Sequence, residues 1–434
     1  MSKVQILVGD AITRLKELKD NSVHCVMTSP PYWQLRNYGV ADAIGLEPTF
    51  EEHLDNLVKV FTEVHRVLRD DGIIFINYGD AYCGASKGGG GEGLQRTNVG
   101  TRQRYSATID GLPAKSLLMM PARVALALQE NGWILRSEII FGKTNPMPES
   151  TTDRPTSAHE KLFMFSKEPR YFYDYIAVRT QFKDSSIARL TQETFDQQAG
   201  GPKDTKTGNR KRKRFPTAKI NGIRNREKWD ASDAGELGAN LRNIWMLPLQ
   251  GFSMAHFAVF PEALVTPPIK AGTSERGCCA KCGTPWRRVV LPSKTSGKSW
   301  HDHSDDMGKG QSQRKGTGYL KWVPSKGAGW QPACECWDEE YKKFPKPRKM
   351  RKKLQRLSWD GWWKRVRARP GLDSWPTVPC VVLDPFGGAG TVGLVASKLG
   401  RNSILIEINP EYAELAKDRI VGEIGEMFCE VEVK

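Results

Sequence analysis

Thr28-Ser29-Pro30-Pro31-Tyr32-Trp33 gathers a hydroxyl, two prolines and an aromatic ring in one short segment. The apolar run 23–27 before it has the length and character of a buried strand. Two prolines stop that strand abruptly, because neither can donate to a ladder or continue a helix. The result is a rigid turn at the mouth of a sheet, offering the Ser29 hydroxyl, the backbone carbonyls of Pro30 and Pro31, and the face of Tyr32. Such a corner suits an amine conjugated to an aromatic ring. The lone pair of that amine is delocalised, so it is a poor nucleophile until acceptors aimed at its hydrogens pull it toward sp³ geometry. Ser29 Oγ and the Pro30 carbonyl are acceptors of that kind, and fixed dipoles act most strongly where water is excluded. Tyr32 adds a stacking surface for a base turned out of a duplex, worth about 1–3 kcal/mol in comparable stacks. A plain strand-ending turn is the commoner use of a Pro-Pro-aromatic sequence, so the reading needs a second motif.

That motif lies near the far end of the chain. Residues 381–383 form an apolar strand, followed by Asp384-Pro385-Phe386-Gly387-Gly388-Ala389-Gly390-Thr391 and a helical pattern over 392–399. Strand, glycine turn and helix make the first unit of a Rossmann-like nucleotide site, where small residues let a ligand approach the backbone. The next strand, 403–408, carries Glu407 at its end, where an acid can bind ribose hydroxyls. The glycine pattern departs from the GxGxxG of dinucleotide sites, which favours an adenosine ligand without pyrophosphate, such as S-adenosylmethionine.

Together these motifs resemble the DNA amino-methyltransferases in their β arrangement, where the catalytic motif precedes the cofactor motif, and phage and prophage DNA modification methylases in particular. In that family Ser-Pro-Pro-Tyr usually marks methylation of cytosine N4, and Asp-Pro-Pro-Tyr methylation of adenine N6. The resemblance implies a permuted Rossmann-like α/β methyltransferase core and direct in-line transfer to an extruded base, without a covalent enzyme–base intermediate. Ser29, Pro30, Pro31 and Tyr32 would be catalytic. Gly9-Asp10-Ala11 resembles the segment at the cofactor adenine, with Asp10 on its amino group. Asp384, Pro385, Phe386, Gly387, Gly388, Gly390 and Thr391 resemble the loop around the methionine moiety, and Glu407-Ile408 the ribose acid and its neighbour. Asn243-Ile244-Trp245 and the segment 256–261, with Phe260, resemble the part that closes over the methionine end. Residues 133–143 and His159-Glu160-Lys161-Leu162 resemble later core strands and the loop near the flipped base. Double-stranded DNA is the implied substrate and a restriction endonuclease the implied companion. Adenine N6 methylation, an RNA substrate and an inactive DNA-binding regulator are the rival readings, the last opposed by two intact motifs.

The elements that must hold these residues are legible as an α/β pattern. Strands are expected at 3–8, 23–27, 72–77, 133–141 and 161–165, with helices at 11–18, 51–68 and 121–131. Leu54, Leu57, Val58, Phe61, Val64 and Leu68 give the helix at 51–68 its apolar stripe, and Asp70-Asp71-Gly72 would end it. The glycine-rich stretch 84–111 reads as a loop rather than a phosphate cradle. Apolar periodicity fades over 176–240, and the resemblance implies a catalytic half at 1–175, target recognition at 176–240, a methionine-side segment at 241–270, an insertion at 271–378 and a cofactor half at 379–434.

The chain has 434 residues and a net charge of +16. Eleven Lys/Arg fall in 203–228, including Arg210-Lys211-Arg212-Lys213-Arg214, and thirteen in 342–369. Two concentrated runs beside a base-modifying corner point to phosphate contact; solvated tracts are the plainer alternative. Trp359, Trp362 and Trp363 interleave the second run, either packing it on the core or stacking on bases. Nine cysteines, mostly isolated, argue against a disulfide scaffold and for a reducing cytoplasmic setting. No apolar run is long enough to span a membrane. Within the insertion, Cys279-x₂-Cys282-Gly283 has zinc-knuckle spacing, and Cys334-x-Cys336 supplies a second pair, together a zinc-ribbon-like Cys₄ set for structural Zn²⁺. Cys278, His301 and His303 stand as alternative ligands. Cys380, after Pro379, reads as a structural thiol, Cys25 as core, and His24 and His65 as surface or helix-face residues.

Overall fold

The computed structural model describes residues 2–34, 43–84, 86–87, 105–106, 109–181, 238–249, 260–288, 290–293, 321–324, 330–336 and 376–434. The Gly88–Gly91 run, residues 256–259, both basic runs and the tryptophans among them lie outside these.

Eleven strands and six helices matter to the site. In chain order they are β1 (Ser2–Val8), α1 (Ala11–Lys16), β2 (Val23–Thr28), α2 (Phe50–Val67), β3 (Leu68–Tyr78), α3 (Met120–Glu130), β4 (Ile134–Lys143), β5 (His159–Ser166) and β6 (Ile244–Leu247). Then follow α4 (Glu262–Gly272), β7 (Cys278–Cys279), β8 (Thr377–Val378), β9 (Val381–Asp384), α5 (Thr391–Lys398), β10 (Asn402–Glu407), α6 (Pro410–Ile424) and β11 (Cys429–Val433). Nine of the strands form one sheet in the order β11-β1-β10-β9-β2-β3-β5-β4-β6. Every pairing is parallel except those that β5 makes with β3 and β4. Strands from the two chain ends interleave in this sheet, and β9 pairs with β2 through Val382↔Cys25 and Leu383↔Val26.

All six residues of β2 are buried, as expected of a parallel strand covered on both faces. Val26 and Ile74 enter a core with Leu57, Val60, Phe61 and Val64 of α2. The neighbouring positions Cys25 and Ile73 meet Gly272 of α4 on the other face, the alternation that strand geometry dictates. No helix among the described residues is long and apolar enough to cross a membrane.

One expectation fails at the junction of α2 and β3. Leu68 takes extended dihedrals, and the strand starts there with no intervening turn. Asp70-Asp71-Gly72 does not end the helix but bulges from the strand, since Val23 pairs with Leu68 while Cys25 pairs with Ile73. The excursion is held by Arg69 Nε on Asp71 Oδ1 at 2.8 Å.

The chain divides into two compact units, 1–177 with 242–287 and 331–434, and 178–241 with 288–330. The first contains the nine-stranded sheet. In the second, Thr180 bridges Ala239, residues 290–293 pair antiparallel with 321–324, and the Arg288 guanidinium lies 4.3 Å from the Trp330 ring centroid.

Candidate active site at the carboxyl edge of the sheet

Because β1, β10, β9 and β2 are adjacent and parallel, their carboxyl ends fall on one edge. Open α/β sheets bind ligands at that edge. Register places Val8 opposite Glu407 and Asp384 opposite Leu405. Residues 9–10, 407–408, 384–391 and 29–32 therefore follow one another along it. The Thr28 hydroxyl donates to Asp384 Oδ1 at 2.7 Å, joining the ends of the two motif-bearing strands through a buried hydrogen bond.

Asp384 lies fully inside this junction. Burial pushes its carboxyl up to about 8, against the hydrogen bonds from Thr28 and the Phe386 amide, with the Glu407 charge adding to the rise. The glycine turn then passes to α5 through Gly390, whose φ of +74° is a left-handed conformation suited to glycine. A Cβ there would also come 2.8 Å from Ala416 Cβ, so the residue lets α5 close on α6. Glu407 is buried and receives the Gly388 amide at 2.8 Å and the Asn409 amide at 2.9 Å. Burial nonetheless raises its carboxyl above the usual range. The Gly9 amide donates to the Glu407 carbonyl at 2.9 Å, which brings Asp10 beside it. Asp10 caps α1, accepting from the Thr13 amide at 2.9 Å, and Ala11 is buried behind it. Phe260 is half-buried just before α4.

At the Ser29–Tyr32 corner, Ser29 Oγ donates to Tyr32 Oη at 3.1 Å, and Tyr32 Oη donates to Glu160 Oε2 at 3.2 Å. Asn77 Nδ2 donates to both, at 2.8 Å to the phenol and 2.6 Å to the carboxylate. Lys143 Nζ lies 2.6 Å from Glu160 Oε1. Burial, and then the Glu160 charge, hold the Tyr32 phenol well above its ordinary pKa, so it remains a donor. The Tyr32 ring packs against Tyr78 with centroids 4.6 Å apart. A recess lined by Tyr32, Tyr78, Gly79 and Asp80 opens beside it.

A second buried network supports the turn from behind. His53 Nδ1 lies 2.9 Å from Glu47 Oε2, and His53 Nε2 lies 2.8 Å from Tyr78 Oη. The Trp33 amide donates to Tyr78 Oη at 3.0 Å. Burial would raise Glu47, but the His53 hydrogen bond and charge outweigh it and hold the carboxyl low. Sequence reading missed Asn77, Lys143, Glu47, His53 and Tyr78. The one signal was a polar Asn77 at the end of an apolar strand.

The four knuckle cysteines also converge. Sγ atoms of Cys279, Cys282, Cys334 and Cys336 lie within 4.8 Å of one another. Cys279 sits on β7, which pairs with β8, and Gly283 N donates to the Cys279 carbonyl at 2.8 Å to close the turn. The thiols interact with one another. Against the effect of burial, hydrogen bonds lower Cys282 to about 7, whereas burial and its sulfur neighbours push Cys334 to about 12.

His24 is not on the surface, contrary to expectation. It is buried on β2, with the Val381 amide donating to Nδ1 at 3.0 Å and Nε2 2.7 Å from the Gly283 carbonyl. The first bond requires Nδ1 to be unprotonated, so Nε2 carries the proton and donates. Cys278 and Cys380 lie close to His24, but both of its ring nitrogens are used, which disqualifies this group as a metal centre. Cys25 and Cys380 are fully buried, and His65 packs its ring edge-on against Trp133 at 4.9 Å.

The chain is 30% identical to the Type II methyltransferase M.Cfr9I of Citrobacter freundii over 96% of its own length and 87% of that protein. It is 31% identical to M.XycI of Xanthomonas campestris pv. cyanopsidis with the same coverage. Among solved structures, the cytosine-N4-specific PvuII DNA methyltransferase superposes with a TM-score of 0.47 at 14% identity, covering 100% of this chain and 95% of the other. The N6_N4_Mtase model, described as DNA methylase, matches residues 23–280 and 378–418. That match takes in the Ser-Pro-Pro-Tyr corner, the Asp384 loop and Glu407, and the chain belongs to this family of DNA methylases.

Proposed function

We propose that this chain transfers a methyl group from S-adenosylmethionine to the exocyclic N4 of cytosine in duplex DNA. The Thr28–Asp384 hydrogen bond carries the reading, because it sets the amine-polarising corner beside the glycine loop at neighbouring strand ends. Asp10, Ala11, Phe260, the 384–391 loop, Glu407 and Ile408 would hold the cofactor, which supplies an electrophilic methyl carbon when bound. Glu407, already shaped by two backbone amides, would take ribose hydroxyls. Ser29 Oγ and the Pro30 carbonyl accept the amine hydrogens, and Tyr32 stacks on the extruded base. Positioning of the two reactants supplies much of the acceleration.

Serine in place of aspartate at the head of the motif favours cytosine N4 over adenine N6. DNA as substrate, with a restriction endonuclease acting at the same sequence, is supported by relatives named Type II methyltransferases. The basic runs 203–228 and 342–369 would meet its phosphates. A structural Zn²⁺ on Cys279, Cys282, Cys334 and Cys336 completes the proposal. Thiolates around zinc stand roughly 3.8 Å apart at Zn–S of about 2.3 Å, within the observed spread. Four thiolates leave no open position for catalysis.

Mass spectrometry of nucleosides from DNA of cells expressing the protein tests the reaction. N4-methylcytosine is expected, and Ser29→Ala should lower it about 10²-fold, as loss of a preorganised polar group does elsewhere, while S-adenosylmethionine binding persists. N6-methyladenine instead would move the target base. Absence of both would reject the proposal.

A further inference from the structure

Hydrogen-bond directions around Tyr32 are fixed by what each neighbour can do. Asn77 Nδ2 can only donate, and it donates to Tyr32 Oη and to Glu160 Oε2. The reverse amide orientation would set an oxygen against the carboxylate, so the assignment is forced. Glu160, as a carboxylate, can only accept. Tyr32 must therefore give its proton to Glu160 and accept from Ser29. This commits the Ser29 proton inward and leaves the Ser29 lone pairs for an incoming amine. The Asn77 side chain is itself buried, and its Oδ1 has no hydrogen-bond partner among the described residues.

From this we infer that Glu160 is the terminal proton acceptor of the transfer, reached from Ser29 through Tyr32. The inference rests on the methyltransferase reading above. An exocyclic amine that has gained a methyl group carries one proton too many. That proton passes to Ser29 Oγ as Ser29 gives its own to Tyr32 Oη and Tyr32 gives its own to Glu160 Oε2. One N–H bond breaks and one carboxyl O–H bond forms, and both hydroxyls end as they began. The positive charge brought by the methyl donor is cancelled on the carboxylate, and no electrons are exchanged with an outside reagent. The Glu160 side chain is 20% exposed, so the proton can leave to water before the next turnover. Lys143, at 2.6 Å from the other oxygen, holds the acceptor in place. Glu160 acts through Tyr32 rather than on the base, and is a positioning and proton-accepting residue.

The test is single-turnover methylation of genomic DNA from a methylation-deficient bacterial strain, using tritiated S-adenosylmethionine, across pH 5.5–9. Glu160→Gln and Tyr32→Phe are expected to slow the step at least about tenfold each, with S-adenosylmethionine affinity and melting temperature retained. The double variant should be no slower than the slower single one, because both changes cut one path. Glu160→Asp, which keeps the carboxylate, should restore part of the rate and serves if Glu160→Gln folds poorly. Multiplying effects, or an unaltered rate in Glu160→Gln, would overturn the relay while wild-type turnover left the methyltransferase reading intact. A wild type that labels no DNA would instead remove the reading on which the relay stands.

Discussion

Asp384 shows how a single residue registers its surroundings. Unfolded, its carboxyl ionises near 3.9, whereas burial pushes it up to about 8 in the folded chain. Between those values the folded chain keeps a proton that the unfolded chain has released. The stability from the neutral form is thus complete below about pH 4 and is lost as pH rises through about 8. Asp384→Asn keeps an Oδ1 acceptor for the Thr28 hydroxyl and the Phe386 amide, which the native oxygen serves at 2.7 and 3.1 Å, and it cannot ionise. From pH 5.5 to 8.5 the wild type should therefore lose at least about 1 kcal/mol relative to the variant, on the order of 2 °C in melting temperature. Parallel melting curves against pH would show that Asp384 does not titrate in this way. At this scale the turn with Ser29 and Tyr32 and the loop with Asp384 and Glu407 stand out in the sequence only as a pair of motifs. His24 is not, because a histidine on a short apolar strand carries no sign of partners at Gly283 and Val381.

Elements decide what the motifs can reach. Reversal of β5 brings its first residues, among them Glu160, to the same edge as the carboxyl ends of β3 and β4, where Asn77 and Lys143 stand. The strand itself is readable from its apolar run; its direction in the sheet is not, because strand periodicity is blind to polarity. The helix α2 illustrates the converse. Its stripe predicts the element almost to the residue, yet Leu68 belongs to β3, since pairing with Val23 outweighs the turn character of Asp70-Asp71-Gly72. Helix α4 approaches β2 so closely that a Cβ on Gly272 would stand 2.6 Å from Cys25 Sγ and 3.1 Å from Ile73 Cγ1. Gly272→Ala is expected to cost about 1–3 kcal/mol by overpacking, read as a lower denaturation midpoint. Adding Cys25→Ala should recover much of that loss, and a double variant as unstable as the single one would place the strain elsewhere.

For the whole molecule, the cysteine cluster is tied to β2 and β3. The Gly283 carbonyl accepts from His24 of β2, and Arg69 of the β3 excursion donates to the Cys282 carbonyl at 3.0 Å. A zinc ion in the cluster would brace this corner, since a metal that binds only the folded form adds its binding energy to stability. Elemental analysis should find one zinc per chain. Cys282→Ser or strong chelators should lower the melting temperature by several degrees and leave a fraction of methylation activity, as befits a structural site. Full stability after complete metal removal would reduce the cluster to four thiols.

The sequence by itself determined the α/β class, the two motifs, the cysteine pairs and the two basic runs, because each is written in contiguous residues or fixed short spacing. Tertiary structure decided the rest: the meeting of Thr28 with Asp384, the delivery of Glu160 to Tyr32, and the seat of the Cys279–Gly283 turn on His24. Those contacts join residues remote along the chain, and strand order and direction are set by burying both faces of one sheet, a balance that no local pattern encodes.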